Sequence, residues 1–355
     1  MKNVAITALF IIFFNSSYAQ WMSSLTLKPT ETFAGISSPS DKVIWAITYS
    51  FTIYTSTDGG GTWKSIEARG FSGDLRVVNL YAINGNTALL SVNTNFTGVG
   101  PGIVYRTNDG GKNWAPVFSH KGNCTIRFGM FNGEVGLISC SYDSFNGSVE
   151  TGQDLYYTKD GGNTWKYNKN NPNKSVFVND FGVNEDQVVM TDYNFFYYSA
   201  NRGLNWSKQK TPAQASNNVV QFVDSSYVVS NSGALIDIFV KRPGSNGWVN
   251  IHDPTGISGA LTGLVLDGSE CWFGMGFDTF NNYYSSDSAK TFTPFIADPN
   301  SGFLMMTKAR KGSTIMGTTF GGGAKLWINK RIPVTVQPTK KPVYIDIKNI
   351  HAETE

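Results

Sequence analysis

Charge is scarce in this chain. Of 355 residues, 15% are Asp, Glu, Lys or Arg, against about 25% in an average soluble protein. That scarcity excludes a disordered chain, a coiled coil and a helical bundle, all of which need more charge or more helix formers. The imbalance is small as well: 29 basic and 26 acidic residues leave a formal charge of +3. Such a weak field does not recruit nucleic acid or an anionic membrane. Histidine and cysteine occur three times each, His at 120, 252 and 351 and Cys at 124, 140 and 271. No HExxH, CxxC, P-loop, dinucleotide fingerprint or GxSxG elbow is present, so the sequence calls for no metal, no cofactor and no familiar nucleophile.

Long apolar runs are also missing, with one exception. Val4 to Phe14 is an unbroken apolar segment behind Lys2, followed by Ser17-Tyr18-Ala19. A membrane span needs about 18 or more apolar residues, and this run is shorter. Its length and its small-residue exit read as a secretory signal cut after Ala19, which places the protein outside the cell, in the periplasm or at the cell surface. The expected organisation is therefore a signal peptide over 1–19, one folded unit over 20–330, and a Pro- and Lys-rich linker and tail over 331–355.

What the chain does have is aromatic rings and glycine: 9 Trp, 16 Tyr, 24 Phe and 37 Gly. That mixture belongs to many short strands joined by tight turns. The turns repeat. STDGGGTW ends at Trp63, RTNDGGKNW at Trp114, YTKDGGNTW at Trp165, SANRGLNW at Trp206 and SSDSAKTF at Phe292; KRPGSNGW at Trp248 keeps the spacing. With Trp21 added, these aromatic positions lie 41 to 51 residues apart. Each interval carries three further strand-like segments, as in TFAGISS, VIWAITYS and TIYTST before Trp63. Four antiparallel strands per 40–45 residues is a propeller blade.

Trp21 stands where a fourth strand belongs, with no first three before it. Phe303 to Lys330 offers three strands with no Asp-Gly-Trp turn after them. The spacing therefore predicts an all-β, seven-bladed β-propeller of four-stranded antiparallel blades, closed by the N-terminal strand completing the last blade, which removes an exposed edge. In the turns, an Asp side chain can accept hydrogen bonds from its own backbone, and paired glycines permit positive φ. Asp58, Asp109, Asp160, Asn201 and Asp287, with Trp63, Trp114, Trp165, Trp206 and Phe292, are accordingly read as structural.

The S/T-x-D-x-G-x-T-W series resembles the Asp-box, or BNR, repeat of sialidases, sortilin-type receptors and Ycf48-like assembly factors. The double glycine after Asp58, Asp109 and Asp160 is most similar to the Ycf48-like group. The resemblance implies a seven-bladed propeller with these turns on the face opposite the usual ligand site, and it says little about function. A sialidase would need three convergent arginines. Arg106, Arg202, Arg242 and Arg310 lie in or beside the turns, which leaves Arg69, Arg76 and Arg127 for the other face.

That other face, carrying the loops after second strands, gathers Tyr49, Phe96, Tyr142, Phe145, Tyr193, Phe277 and Phe280, with Asp143, Asp192, Asp278 and Glu150 among them. Aromatic platforms with amide and carboxylate hydrogen-bonders suit a saccharide or peptide surface. The first expectation is a secreted binding or assembly module for an extracellular or periplasmic protein or glycan, without catalysis. The alternative is a sialidase-like glycoside hydrolase or a polysaccharide lyase using those four acids. Cys124 and Cys140 flank Asn132-Gly133 symmetrically, which would set the thiols face to face across a hairpin and allow a disulfide in an oxidising compartment. His120 and His252 read as exposed loop residues.

Overall fold

The computed structural model describes residues 21–329 apart from 95–99, 143–151, 173, 175–179, 185, 193–194, 211–217, 224–225, 232–236, 242–248, 251–259, 268–269, 277–281, 288–290, 296–297, 299–301 and 322. The expected signal peptide and tail, and Trp248, lie outside the described residues.

Twenty-eight strands are described. The chain opens with β1 (Trp21–Thr26). Four strands then form one sheet in sequence order: β2 (Phe33–Ser37), β3 (Ile44–Thr48), β4 (Thr52–Ser56) and β5 (Lys64–Glu67). The next sheet holds β6 (Leu75–Ala82), β7 (Ala88–Thr94), β8 (Pro101–Thr107) and β9 (Ala115–Asn123). After it come β10 (Thr125–Met130), β11 (Gly136–Tyr142), β12 (Gly152–Thr158) and β13 (Lys166–Tyr167). The fourth group is β14 (Asp180–Asn184), β15 (Gln187–Thr191), β16 (Phe195–Ser199) and β17 (Ser207–Lys210). A fifth contains β18 (Asn218–Val223), β19 (Ser226–Asn231), β20 (Asp237–Lys241) and β21 (Val249–Asn250). The sixth is β22 (Ala260–Asp267), β23 (Glu270–Gly276), β24 (Asn282–Ser285) and β25 (Thr293–Phe295). Finally β26 (Phe303–Lys308), β27 (Ile315–Thr319) and β28 (Lys325–Asn329) pair onward to β1, so that strands from the two ends of the chain share one sheet.

The first strand of each sheet touches the first strand of the next: β2 meets β6, and contacts continue through β10, β14, β18, β22 and β26 back to β2. The protein is thus an all-β propeller of four-stranded antiparallel blades, with first strands innermost.

The residue pattern explains the radial order. Second strands lie between neighbouring blades on both faces, so they read as unbroken apolar or small runs. IWAIT in β3 and IMGTT in β27 are buried at every position. Fourth strands face solvent, and KSIE in β5 and SKQK in β17 are mostly exposed. The apolar clusters form between blades. Trp45, Ile47 and Ile53 of one blade join Leu80, Leu90, Val92 and Trp114 of the next. Leu89 and Val104 pack with Ile126, Phe128, Ile138 and Trp165 of the following blade in the same way. A Trp at the start of a fourth strand therefore fills the gap to the preceding blade, and burying such a ring stabilises by roughly 2–3 kcal/mol.

Trp21 does this for the last sheet. Its ring stacks on Phe295 (centroids 5.6 Å apart, planes within 6°) and tilts against Phe303 at 4.8 Å. β1 pairs with β28 from Trp21↔Asn329 to Thr26↔Lys325, with a bulge between Ser23 and Leu25. Arg310 adds a second tie near the inner strands. Its guanidinium lies 3.9 Å over the Tyr81 ring and donates to Ser37 Oγ and the Ala82 carbonyl, while Tyr81 donates to the Met130 carbonyl. Four consecutive blades are bound in that relay.

Two expectations need correction here. β10 and β11 are joined by five residues, 131–135, in which the Asn132 side chain accepts from the N–H groups of Glu134 and Val135. The register is therefore Ile126↔Cys140, with Thr125 opposite Ser141. Cys124 is diagonal to Cys140, not opposite it, because the loop is longer than the tight turn that symmetrical spacing assumes. His120 is not a loop residue: β9 runs on to Asn123 and carries it.

Candidate functional site

Strand alternation divides the connections between two ends of the propeller. First-to-second and third-to-fourth links share one end; second-to-third links and the passages between blades share the other.

At the first end, the third-to-fourth turns have one construction repeated. Asp58 accepts from Ser56 Oγ (2.8 Å), the Thr62 N–H (2.9 Å) and Thr62 Oγ1 (2.7 Å). Asp109 accepts from Thr107 Oγ1 (2.8 Å), the N–H groups of Lys112 and Asn113 (3.0 Å each) and Asn113 Nδ2 (2.7 Å). Asp160 and Asp287 repeat the scheme with Thr164 and Thr291. Asn201 keeps the first half of it, accepting from Ser199 Oγ and the Asn205 N–H. The Ser or Thr two residues earlier also accepts the N–H of Gly60, Gly111, Gly162 or Gly203.

Gly59 and Gly60 adopt φ of 73° and 83°, and the glycine pairs after Asp109 and Asp160 do likewise. Arg202 occupies the first of these left-handed positions in the fourth turn, at φ 55°. The preceding loop is stapled on as well: the N–H groups of Gly59, Gly110, Gly161 and Arg202 donate to the carbonyls of Lys42, Asn86, Glu134 and Asp186. In Asp58 the hydrogen bonds from Thr62 and Ser56 hold the carboxyl far below the ordinary carboxylate range. In Asp109 partial burial pushes upward, and the bonds from Asn113, Thr107 and Lys112 outweigh it, bringing the group down to about 2. Carboxylates with both oxygens bonded within their own turn serve to hold its shape.

Trp114, Trp165 and Trp206 donate Nε1–H to the carbonyls of Gly111, Gly162 and Gly203. Trp63 differs. It donates to Ser24 Oγ at 3.0 Å, and Ser24 itself donates to the Gly60 carbonyl. A residue of β1 is thus built into the first turn. Phe292, which has no N–H to give, packs edge-on against Phe273 at 5.0 Å. Arg69, expected at the opposite end, lies against the Asp109 turn, where its backbone exchanges hydrogen bonds with Lys112 and Trp114.

The second end carries the candidate binding surface. Tyr49, in the β3–β4 loop, is 42% exposed, and Phe320, in the β27–β28 loop, is 59% exposed. The passage from β1 to β2 joins them. The Tyr49 N–H donates to the Thr32 carbonyl (3.1 Å), Thr32 Oγ1 donates to the Gly321 carbonyl (3.3 Å), and the Gly323 N–H donates to the Lys28 carbonyl (3.2 Å). Beneath this strip Glu31, 8% exposed, accepts from Tyr54 Oη (2.8 Å). Burial, then the Glu31 bond and charge, push the Tyr54 phenol upward. Neither Glu31 nor Thr32 occupies a repeated position, so sequence spacing gave no sign of them.

Of the other residues proposed from sequence, Asp192 is described and buried. It accepts from the Phe195 N–H (2.6 Å) and Tyr197 Oη (2.8 Å), closing its loop. Tyr142 ends β11, where its backbone is opposite Gly152. Phe96, Phe145, Tyr193, Phe277, Phe280, Asp143, Glu150 and Asp278 lie outside the described residues. Among the described residues no group of three or more His, Cys, Asp or Glu could hold a metal ion, and no helix is long and apolar enough to cross a membrane.

Fold and loops together define a β-propeller of four-stranded antiparallel blades. No family model matches the chain, and no curated protein sequence matches it. Solved structures do. The chain is similar to YCF48 bound to D1 peptide, with 17% identity over 88% of this chain and 97% of that one and a TM-score of 0.63. It is also similar to YCF48 from Cyanidioschyzon merolae, at 15% identity, 87% and 98% coverage and a TM-score of 0.61. An ancestral GH74 enzyme matches at 13% identity, over 83% of this chain and 46% of that one, with a TM-score of 0.56. Identities this low establish a shared fold.

Proposed function

We propose that this chain is an exported, seven-bladed Asp-box propeller that binds an extended polypeptide segment on its second-to-third-strand loop face, as an assembly or binding module without catalysis. The observation that carries the reading is the Tyr49–Thr32–Gly321–Phe320 strip. Two well-exposed aromatic side chains flank a passage whose backbone is already hydrogen-bonded in place, so little ordering cost is left to binding. Export is supported by Val4–Phe14 and the Ser17-Tyr18-Ala19 exit. The repeated Asp-Gly turns with their committed carboxylates support the Asp-box assignment. The likeness to a YCF48 structure with a bound peptide supports a polypeptide over a glycan as ligand class.

The test screens the protein without residues 1–19 against peptide and glycan arrays, alongside Tyr49→Ala and Phe320→Ala. Each substitution should weaken peptide binding by about tenfold, the loss of one interface aromatic, and leave the unfolding midpoint in place. Glycan binding with no peptide signal would sink the polypeptide reading. Release of a cleaved sugar product would replace it with the hydrolase or lyase.

A further inference from the structure

A cluster that the binding reading does not use lies where the second sheet passes into the third. Cys124 is the single residue between β9 and β10, outside both ladders, with its N–H donating to the Gly100 carbonyl at 3.1 Å. Its sulfur is hydrogen-bonded to Cys140 of β11 and to His120 of β9, and it accepts from the Gly102 N–H. His120 Nε2 is in turn 3.3 Å from Asp154 Oδ2 on β12, with Tyr156 edge-on to the imidazole at 6.3 Å. The two thiols are free and buried, whereas His120 and Asp154 are 15% and 24% exposed and open the cluster toward solvent. Two thiols, an imidazole and a carboxylate converge here from three strands and the β9–β10 link, across two blades.

We propose that Cys124 and Cys140 form a peroxide-reactive dithiol, with Cys124 as nucleophile, Cys140 as resolving thiol, and His120, positioned by Asp154, as the base for Cys124. His120 takes the Cys124 proton. The thiolate attacks one oxygen of hydrogen peroxide, the O–O bond breaks, and the departing hydroxide is protonated to water, leaving a sulfenic acid on Cys124. The Cys140 sulfur then attacks the Cys124 sulfur, the S–O bond breaks, and hydroxide leaves as a second water with the Cys140 proton. Two thiols lose two electrons and two protons to one peroxide and become one disulfide. The register sets Ile126, not Cys124, opposite Cys140, so disulfide closure shifts the Cys124 link.

The electrostatics divide the roles in the same sense. The Cys140 and His120 hydrogen bonds, with the His120 charge, lower Cys124 against the effect of burial. Burial first, and then Cys124 and Asp154, raise Cys140. Cys271 supplies an internal reference, because it is equally buried, has no such partners among the described residues, and is pushed up by burial.

The experiment adds hydrogen peroxide to the fully reduced, folded protein and follows each cysteine by differential alkylation and peptide mass spectrometry. The expected result is a linked Cys124–Cys140 peptide, with Cys271 still reduced. Cys140→Ser should stop at a Cys124 sulfenic acid that dimedone traps. His120→Asn should slow the reaction by about tenfold near neutral pH and move its pH profile upward, since thiolate fraction sets the rate. Equal oxidation of Cys124 and Cys271, or no linked peptide while the protein stays folded, would overturn the dithiol. An unchanged rate and pH profile in His120→Asn would remove His120 as the base. Oxidation of Cys271 in a variant reports its unfolding, and the wild-type comparison of Cys124 with Cys271 then decides.

Discussion

Replacing Asp109 by Asn tests whether the turn carboxylates contribute as charges or only as acceptors. The carbonyl oxygen of Asn can keep the three bonds to Oδ1, from Thr107 Oγ1 and the N–H groups of Lys112 and Asn113. Its NH2 group replaces Oδ2 and meets the donor Asn113 Nδ2, which now sits 2.7 Å from an acceptor. One charge-assisted bond is lost at a largely exposed site, at a cost of about 1 kcal/mol. The titration gives an independent figure. Asp109 is lowered from 3.8 to about 2, roughly 2 kcal/mol at face value and about 1 kcal/mol once discounted for solvent screening. The sign follows from the depressed value. The contribution is fully present above the unfolded value near 3.8 and is lost as the pH falls through the folded value near 2. Urea unfolding of wild type and Asp109→Asn should therefore differ by about 1 kcal/mol at pH 7, and the gap should shrink between about pH 4 and pH 2. A gap that stays constant down to pH 2 would refute the charge argument. No gap at pH 7 would refute the hydrogen-bond accounting.

Further consequences can be measured on the same protein. Trp21→Ala removes the ring stacked between Phe295 and Phe303 and should lower stability by about 3 kcal/mol in denaturant unfolding, with the first trypsin cuts moving to the N-terminal segment. Gly111→Ala should cost about 2 kcal/mol in the same assay, because φ is 92° and the new methyl would sit 3.1 Å from the Trp45 ring and 3.2 Å from Ile53. Gly73→Ala, at φ 86° but with open space around it, should cost less, and the difference between the two isolates the packing contribution.

Repetition made the architecture legible. The Asp-Gly-Gly turns announce themselves because a carboxylate accepts the bonds of the turn and glycine takes its positive φ at least cost. The sheet that β1 shares with β26, β27 and β28 was readable because a turn Trp without preceding strands and three strands without a following Asp-Gly-Trp turn complete each other. Register was harder. The symmetry of Cys124 and Cys140 about Asn132 pointed to a face-to-face pair, but Asn132 organises a five-residue loop, and the partner of Cys140 moves two residues along, from Cys124 to Ile126. His120 looked like a loop residue because β9 is longer than other fourth strands, and nothing local marks where a fourth strand stops. The strip proposed for binding was the least legible part: Thr32 and Gly321 meet across 289 positions of sequence, and no spacing rule reaches that far. Arg69 shows the same limit, since the backbone pairing that holds it beside Asp109 is set by the neighbouring blade.

The sheet shared by β1 and β28 also sets an order of events. Met22 is opposite Ile328, so the first of the described strands has no partner until the last of them has been synthesised. Through most of synthesis β1 is a free edge, and Ser24 cannot yet complete the turn that holds Trp63. A ring fastened by so non-local a pairing closes late and slowly. A chaperone or a neighbouring copy that captured β1 would then leave β28 exposed, and exchange of this strand between two chains is the misassembly to which such a ring is most open.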